Sequence, residues 1–285
     1  MSRVNLTSIH VSDLARSVKF YSNALGFKEV HRLETPSYIS AVIELGSQLP
    51  ENSGRPLNQR NGLVELRQNK DGSAKIYNGN TDPYRGFGHL CVSVSNIVEA
   101  QKHLLKEGVT FKKRLEDGRQ KDIAFIQDPD TYWIELIENA IDKEEGKYNV
   151  ESNRLNHTMI RVKDPKKSLE FYQGVLGLKV YDKKDFEGAK FTLYFLGSDD
   201  GRETKRAERQ SLIELTHNWG SESDDSKYYV PGKDKGVIGF DHFTISVGDV
   251  QKFDGVKGKS EDPELLETVL EDPDGWRVHL VDEAD

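Results

Sequence analysis

Apolar and polar residues alternate along this chain in short runs that recur at regular intervals. Runs over residues 6–11, 89–94, 157–162 and 242–247 carry the two-residue period of strands with one buried face. A stretch of helical period follows most of them. In SLEFYQGVLG, Leu169, Tyr172 and Leu176 recur at helical spacing, and residues 98–107 read as a helix ended by Gly108. Each block closes on a strand rich in β-branched or aromatic residues: GLVELR, YWIELI, SLIELT or WRVHLV. The pattern predicts an α+β protein of four β-α-β-β-β modules, near residues 3–70, 84–140, 154–220 and 237–282.

The modules fall into two similar halves. SVKFYSNALGFKEV (17–30) matches SLEFYQGVLGLKVY (168–181), and LVELRQN (63–69) matches LIELTHN (212–218). GFGHLCVSVSNIV (86–98) matches GFDHFTISVGDV (239–250), and IQDPDTYWIELIENA (126–140) matches LEDPDGWRVHLVDEA (270–284). The order is kept at an offset of about 150 residues, the mark of an internal duplication. Two domains are expected, 1–145 with modules one and two and 146–285 with modules three and four, joined by IDKEEGKYNVESN (141–153). GSQLPENSGRPLNQRN (46–61) and GSDDGRETKRAERQ (197–210) sit at equivalent places and read as exposed loops.

Polar residues stand at fixed places inside these strands. The opening strands of modules two, three and four carry His89, His157 and His242, where module one has Leu6. The closing strands of modules one, two and three carry Glu65, Glu135 and Glu214, where module four has His279. A carboxylate between Val64 and Leu66, or between Ile134 and Leu136, is costly to bury unless it is paired or ligates a metal. Imidazole nitrogen and carboxylate oxygen are ligands that a divalent transition metal takes. A lone strand histidine is more often hydrogen-bonded than ligating, and a lone alternating glutamate usually faces solvent. Here six of the eight equivalent positions are histidine in the opening strand or glutamate in the closing strand, at matching offsets, which favours a metal site of two histidines and two glutamates.

Composition narrows the function classes. The 285 residues carry a formal charge of −8 without a basic block, which disfavours nonspecific nucleic-acid binding. The single cysteine, Cys91, makes neither an internal disulfide nor a thiolate zinc cage and fits a reducing compartment. Mean hydropathy is −0.68, and no apolar run approaches the ~18–20 residues of a membrane span. MSRVNLTSIHVSD lacks the apolar core of a signal peptide, so a soluble cytoplasmic protein is expected.

RGFGHL (85–90), FIQDPDTYWIEL (125–136), NHTMIRVKDPKKSLEFY (156–172) and IELTHNWG (213–220) resemble the glyoxalase I family of the vicinal oxygen chelate superfamily. The resemblance spans nearly the whole chain, is strongest in modules two and three and weakest in module four, and includes the fused, monomeric fungal form. It implies βαβββ modules pairing into two metal-holding barrels, with ligands from one module of each half. One site would then hold His89, Glu135, His157 and Glu214, and the other Leu6, Glu65, His242 and His279. Family positions for the carboxylates of glutathione fall on Arg85, Lys113, Arg119, Arg161 and Asn218, all on the intact side. On the other side His10 and Ile238 replace the arginines, module four (VKGKSEDPELLETVLEDPD) has no counterpart of FKKRLEDGRQKD, and Asn69 is the one clear anchor. Pairing module two with three therefore collects every loss in the other site.

The resemblance implies a metal-dependent isomerisation of the methylglyoxal–glutathione hemithioacetal to S-D-lactoylglutathione. Glu135 would be base and ligand, and Glu214 a ligand sharing proton transfer. One divalent metal per chain is expected, zinc first, with nickel, cobalt and manganese also compatible with the ligands. No nucleic-acid or membrane partner is expected, and a monomer is. Met159, Phe195, Trp133 and Leu215 are candidates for an apolar substrate wall as much as for core. A noncatalytic binding protein of the same fold, a CoA-thioester epimerase, a thiol transferase and a dioxygenase are the alternatives. The last would use Glu65, His242 and His279, against which stands the reading of those residues as a relic.

Overall fold

In the computed structural model, residues 2–46, 49, 52–72, 75–226, 229–234, 236–259 and 266–283 are described, with backbone alone at 233–234, 256–259 and 266–267. Parts of the loop 46–61 and of the module-four stretch 256–274 thus lie outside the described residues.

Module one runs β1 (Arg3–His10), α1 (Leu14–Leu25), β2 (Lys28–Glu34), β3 (Tyr38–Glu44) and β4 (Leu63–Asn69), and the short β5 (Lys75–Ile76) follows. Module two is β6 (Phe87–Val94), α2 (Ile97–Lys106), β7 (Phe111–Lys113), β8 (Ala124–Gln127) and β9 (Trp133–Glu138). Module three is β10 (Arg154–Val162), α3 (Pro165–Leu169) continued as a π-helical segment to Val175, β11 (Lys179–Phe186), β12 (Phe191–Gly197) and β13 (Leu212–Asn218). After the short β14 (Lys233–Asp234) and β15 (Val237–Ile238), module four supplies β16 (Phe240–Val247), β17 (Val256–Lys259), β18 (Leu266–Glu271) and β19 (Arg277–Asp282).

Module four departs from the expected β-α-β-β-β unit. A helix-capping residue follows the opening strand of modules one to three: Asp13, Asn96 and Asp164 accept backbone N–H bonds from the first turns of α1, α2 and α3. Asp249 keeps that cap, accepting from the Gln251 N–H, but only the 3₁₀ turn Val250–Lys252 follows. The segment GDVQKFDG before β17 is too short for a helix body. Val250 and the partly buried Phe253 pack into the core from this turn.

Two eight-stranded sheets result, β17-β18-β19-β16-β1-β4-β3-β2 and β11-β12-β13-β10-β6-β9-β8-β7. Each is joined at its centre by the antiparallel opening strands of two modules, β1 with β16 and β6 with β10. Module one therefore shares one open, barrel-like sheet with module four, and module two the other with module three. One continuous apolar core runs through both sheets and beneath the helices, from Ile9 and Leu66 to Ile134, Ile160 and Leu280.

Polar clamps tie the barrels together within each half. The Tyr21 hydroxyl donates to Asp128, and the Tyr172 hydroxyl donates to Asp272 in the matching place. Each aspartate opens a tight Asp-Pro-Asp turn and accepts further N–H bonds, from Asp130 and Tyr132 or from Asp274 and Trp276. Burial pushes both carboxyls up to about 7, held there against further rise by these donors. Among the described residues no helix is long and apolar enough to cross a membrane.

Candidate metal centre

Strand register explains why the ligand-type residues meet. In the parallel pair β6–β9 Cys91 lies beside Glu135, and in β10–β13 Met159 lies beside Glu214. Each histidine stands two residues earlier on its strand, and a period of two keeps His89 and His157 on the face of their glutamates. The antiparallel register sets Met159 against His89 and His157 against Cys91, bringing both sets to the seam between modules two and three.

The four side chains are buried, and one ligand atom from each lies within 4.8 Å of all the others. The Nε2 atoms of His89 and His157 are 3.3 Å apart. Glu135 Oε2 lies 3.5 Å from His89 Nε2 and 3.2 Å from His157 Nε2, and Glu214 Oε2 lies 3.0 Å from His157 Nε2. Two imidazole nitrogens bonded to one ion at ~2.0–2.1 Å take about this separation. Two buried carboxylates with two imidazoles, and no lysine or arginine among them, form a donor set that fits a divalent cation.

Neighbouring groups fix these four side chains. The Asn156 amide nitrogen donates to the carbonyls of Arg206 (2.7 Å) and Arg209 (2.9 Å), which turns its oxygen toward His157 Nδ1 at 2.8 Å. His157 Nδ1 is thereby placed to donate to it, which aims Nε2 at the cluster. The Thr216 hydroxyl donates to Glu214 Oε1 at 3.0 Å. Burial alone would raise the Glu135 carboxyl, but His89 and His157 beside it hold it well below the usual range. Cys91 is fully buried beside these ligands, and desolvation pushes its thiol up to about 12, which makes it an inert wall.

Of the four candidate wall residues, three share the ligand face. Phe195 pairs with Glu214 across β12–β13, with its ring 5.3 Å from that of His157. Trp133 and Met159 stand two residues from Glu135 and His157 on the same strands. Leu215 alternates to the opposite face and belongs to the hydrophobic core, which removes it from the wall.

The five candidate anchors have different local partners. Arg161 donates to the carbonyls of Gly79, Gly86 and Phe87 and to the Asn80 side chain. Burial, with the charge of Arg85, pushes its guanidinium down to about 10. Two guanidinium groups that feel one another form a place where an anion is favoured. Arg85 is paired with Asp82 at 3.1 Å, and Asn218 donates to the Tyr229 hydroxyl at 3.0 Å. Lys113 is turned back onto the carbonyls of Gln120 and Ile123, and Arg119 is exposed on a bend. Asn156, Thr216, Asn80 and Tyr229 were not legible as site residues. The first two carry no chemistry beyond hydrogen bonding, and the others lie in connecting segments outside the repeated strands.

The second barrel is assembled differently. The His242 and His279 rings stack in parallel, 3.8 Å apart and 9° from coplanar, instead of aiming nitrogens at one point. Glu65 is taken by Arg67 (3.2 Å) and by the Ser8 hydroxyl (2.7 Å). Among the described residues, the His89 cluster is the one group of three or more such side chains close enough to share an ion. Asn5 keeps the role of Asn156, donating to the carbonyls of Asn58 and Arg60, but the histidine it would orient is Leu6. His217, adjoining Asn218, is paired with Glu222 at 2.7 Å.

Residues 3–136 and 154–280 each match the model of the Glyoxalase/Bleomycin resistance protein/Dioxygenase superfamily. A lactoylglutathione lyase of Schizosaccharomyces pombe is 39% identical, over 99% of this chain and 96% of its own. Glyoxalase I of Saccharomyces cerevisiae is 40% identical, over 98% of this chain and 91% of its own. The crystal structure of glyoxalase I from Zea mays superposes with a TM-score of 0.73 at 26% identity, covering 99% of this chain and 92% of the maize chain.

Proposed function

This chain belongs to the glyoxalase I (lactoylglutathione lyase) family, and from that we propose that it isomerises the methylglyoxal–glutathione hemithioacetal to S-D-lactoylglutathione at a single site between modules two and three. The observation that carries this reading is the convergence of His89, Glu135, His157 and Glu214 from both halves of the chain.

These four residues would hold one divalent ion, for which we propose zinc. When bound, the ion supplies positive charge that stabilises the negative charge developing on oxygen as a proton leaves the adjacent carbon. The chain's own part is proton transfer and positioning. Glu135, held ionised between two histidines, takes the proton from the carbon bearing sulfur and returns it to the neighbouring carbon. Glu214, oriented by Thr216, closes the opposite side and shares that transfer. Arg161, Arg85 and Asn218, with Lys113 and Arg119 on the strand and bend beyond, bind the carboxylates of glutathione. Phe195, Met159 and Trp133 cover the aldehyde-derived carbon skeleton and keep water from it.

We place the protein in the cytoplasm as a monomer. Cys91, the only cysteine, is buried and unpaired, and the covalent duplication puts both halves of the site on one chain. Conversion of preformed hemithioacetal by the metal-loaded protein tests the reading. Formation of S-lactoylglutathione that stops in Glu135→Gln is the expected result, and an inactive loaded wild type would refute it.

A further inference from the structure

The second barrel has gained charged residues as well as lost ligands. Arg67 stands two residues after Glu65, where Thr216 stands two after Glu214. Arg277 stands two before His279, where Trp133 stands two before Glu135, and Asp241 precedes His242 where Gly88 precedes His89. These gains are bonded to one another. Arg67 reaches Glu65 Oε2 at 3.2 Å and Asp241 Oδ2 at 3.1 Å, and its guanidinium lies 4.1 Å over the Tyr38 ring. Arg277 pairs with the other oxygen of Asp241 at 2.5 Å, which His10 Nε2 approaches to 3.6 Å, while His242 Nδ1 lies 3.1 Å from Oδ2.

The charges explain the arrangement. In the first barrel two buried carboxylates face two imidazoles, and neutrality calls for a divalent cation. In the second, Glu65 and Asp241 face Arg67 and Arg277, so the site balances within the chain. We propose that Arg67 is the resident cation of the second barrel, bridging Glu65 and Asp241 in place of a metal ion, and that its presence limits each chain to one ion. A divalent ion entering there would meet two guanidinium groups and two carboxylates already engaged by them. A buried pair that loses one partner leaves an uncompensated charge, so Arg67 also supports the fold.

Ion counting on the purified, zinc-saturated and desalted protein tests this. We expect one ion per chain in the wild type, none in His157→Ala and one in His242→Ala. Arg67→Thr, which copies the first barrel at this position, should melt lower by about 5 °C or more. It should regain part of that loss with added zinc and take up a second, weaker ion, whereas Arg67→Lys should still hold one. Two ions in the wild type, or an ion that survives His157→Ala and disappears in His242→Ala, would overturn the proposal. So would an Arg67→Thr protein with wild-type melting and no second ion. A wild type without any ion would instead refute the metal reading of the first barrel, and the Arg67→Thr melting and zinc response would still decide this one.

Discussion

Thr7 and Thr158 share a buried hydrogen bond of 2.7 Å, oxygen to oxygen, although they lie 151 residues apart and in different barrels. They are the equivalent residues of modules one and three, so the bond sits where the two halves of the duplication meet. Strand alternation then turns Leu6 and His157, their immediate neighbours, to the other face of each sheet. The same backbone device thus presents a ligand-type histidine in one barrel and an aliphatic side chain in the other.

That asymmetry sets the first expectation. Glu135→Gln should lower turnover of preformed hemithioacetal by about 10²–10⁴-fold, the range of a lost general base. Glu65→Gln, whose carboxylate is bound by Arg67 and Ser8, should leave turnover near the wild-type level. Continuous assay of S-lactoylglutathione compares the two, and equal losses would mean that both barrels turn over.

Metal removal should act on stability as well as rate. Without an ion, Glu135 and Glu214 remain buried with histidines as their nearest partners. Chelated protein should therefore melt below the loaded form, by a margin that grows with free metal concentration during re-addition. Calorimetry across a metal titration measures it, and superimposed melting curves would contradict the assignment.

The proposed glutathione anchors should separate affinity from chemistry. Asn218→Ala and Arg85→Ala should raise KM several-fold with little change in kcat, because each group acts on binding and none on the proton. Tyr229→Phe should show a smaller effect of the same kind through Asn218. Asn69→Ala, at the equivalent place in the second barrel, should change neither constant.

Stability should fall as pH rises toward neutrality. Asp128 and Asp272 lose their protons near 7 in the folded chain and at ordinary carboxyl values when unfolded. The folded state binds more protons between those values, so each group's contribution is complete below the unfolded value and lost as pH climbs to about 7. The slope is at most about 1.4 kcal/mol per pH unit for each carboxyl. Asparagine mimics the protonated acid, so Asp128→Asn with Asp272→Asn should flatten the profile. Urea unfolding at pH 5 and pH 8 reads this directly, and an unchanged slope in the double variant would assign the pH dependence elsewhere.

How far the sequence could be read depended on the type of signal. Period-two runs and their repetition located the opening and closing strands, because a strand buried on one face must alternate. The spread of intact and lost ligand-type residues also supported the crosswise pairing of modules that the family resemblance implied, since a metal site fails as a set. The helix of module four was expected from the repetition of the other modules, but there Asp249 keeps the cap while only a 3₁₀ turn follows. The fate of the second site was invisible for another reason. Arg67, Asp241 and Arg277 lie on three different strands, and nothing in their order indicates that they pair.

The crossed connectivity also bears on how the chain comes to be folded during synthesis. The barrel of modules two and three has all of its strands once residue 218 has emerged, so the metal centre can form first. Module one cannot close its barrel then, because Val4 waits for Ile245 and the rest of β16. Its central strand stays without that partner while most of the polypeptide is being made, and such long-range pairing is slow. The nascent protein is thus expected to form the sheet of modules two and three early and to be vulnerable to aggregation through β1 until the last module arrives.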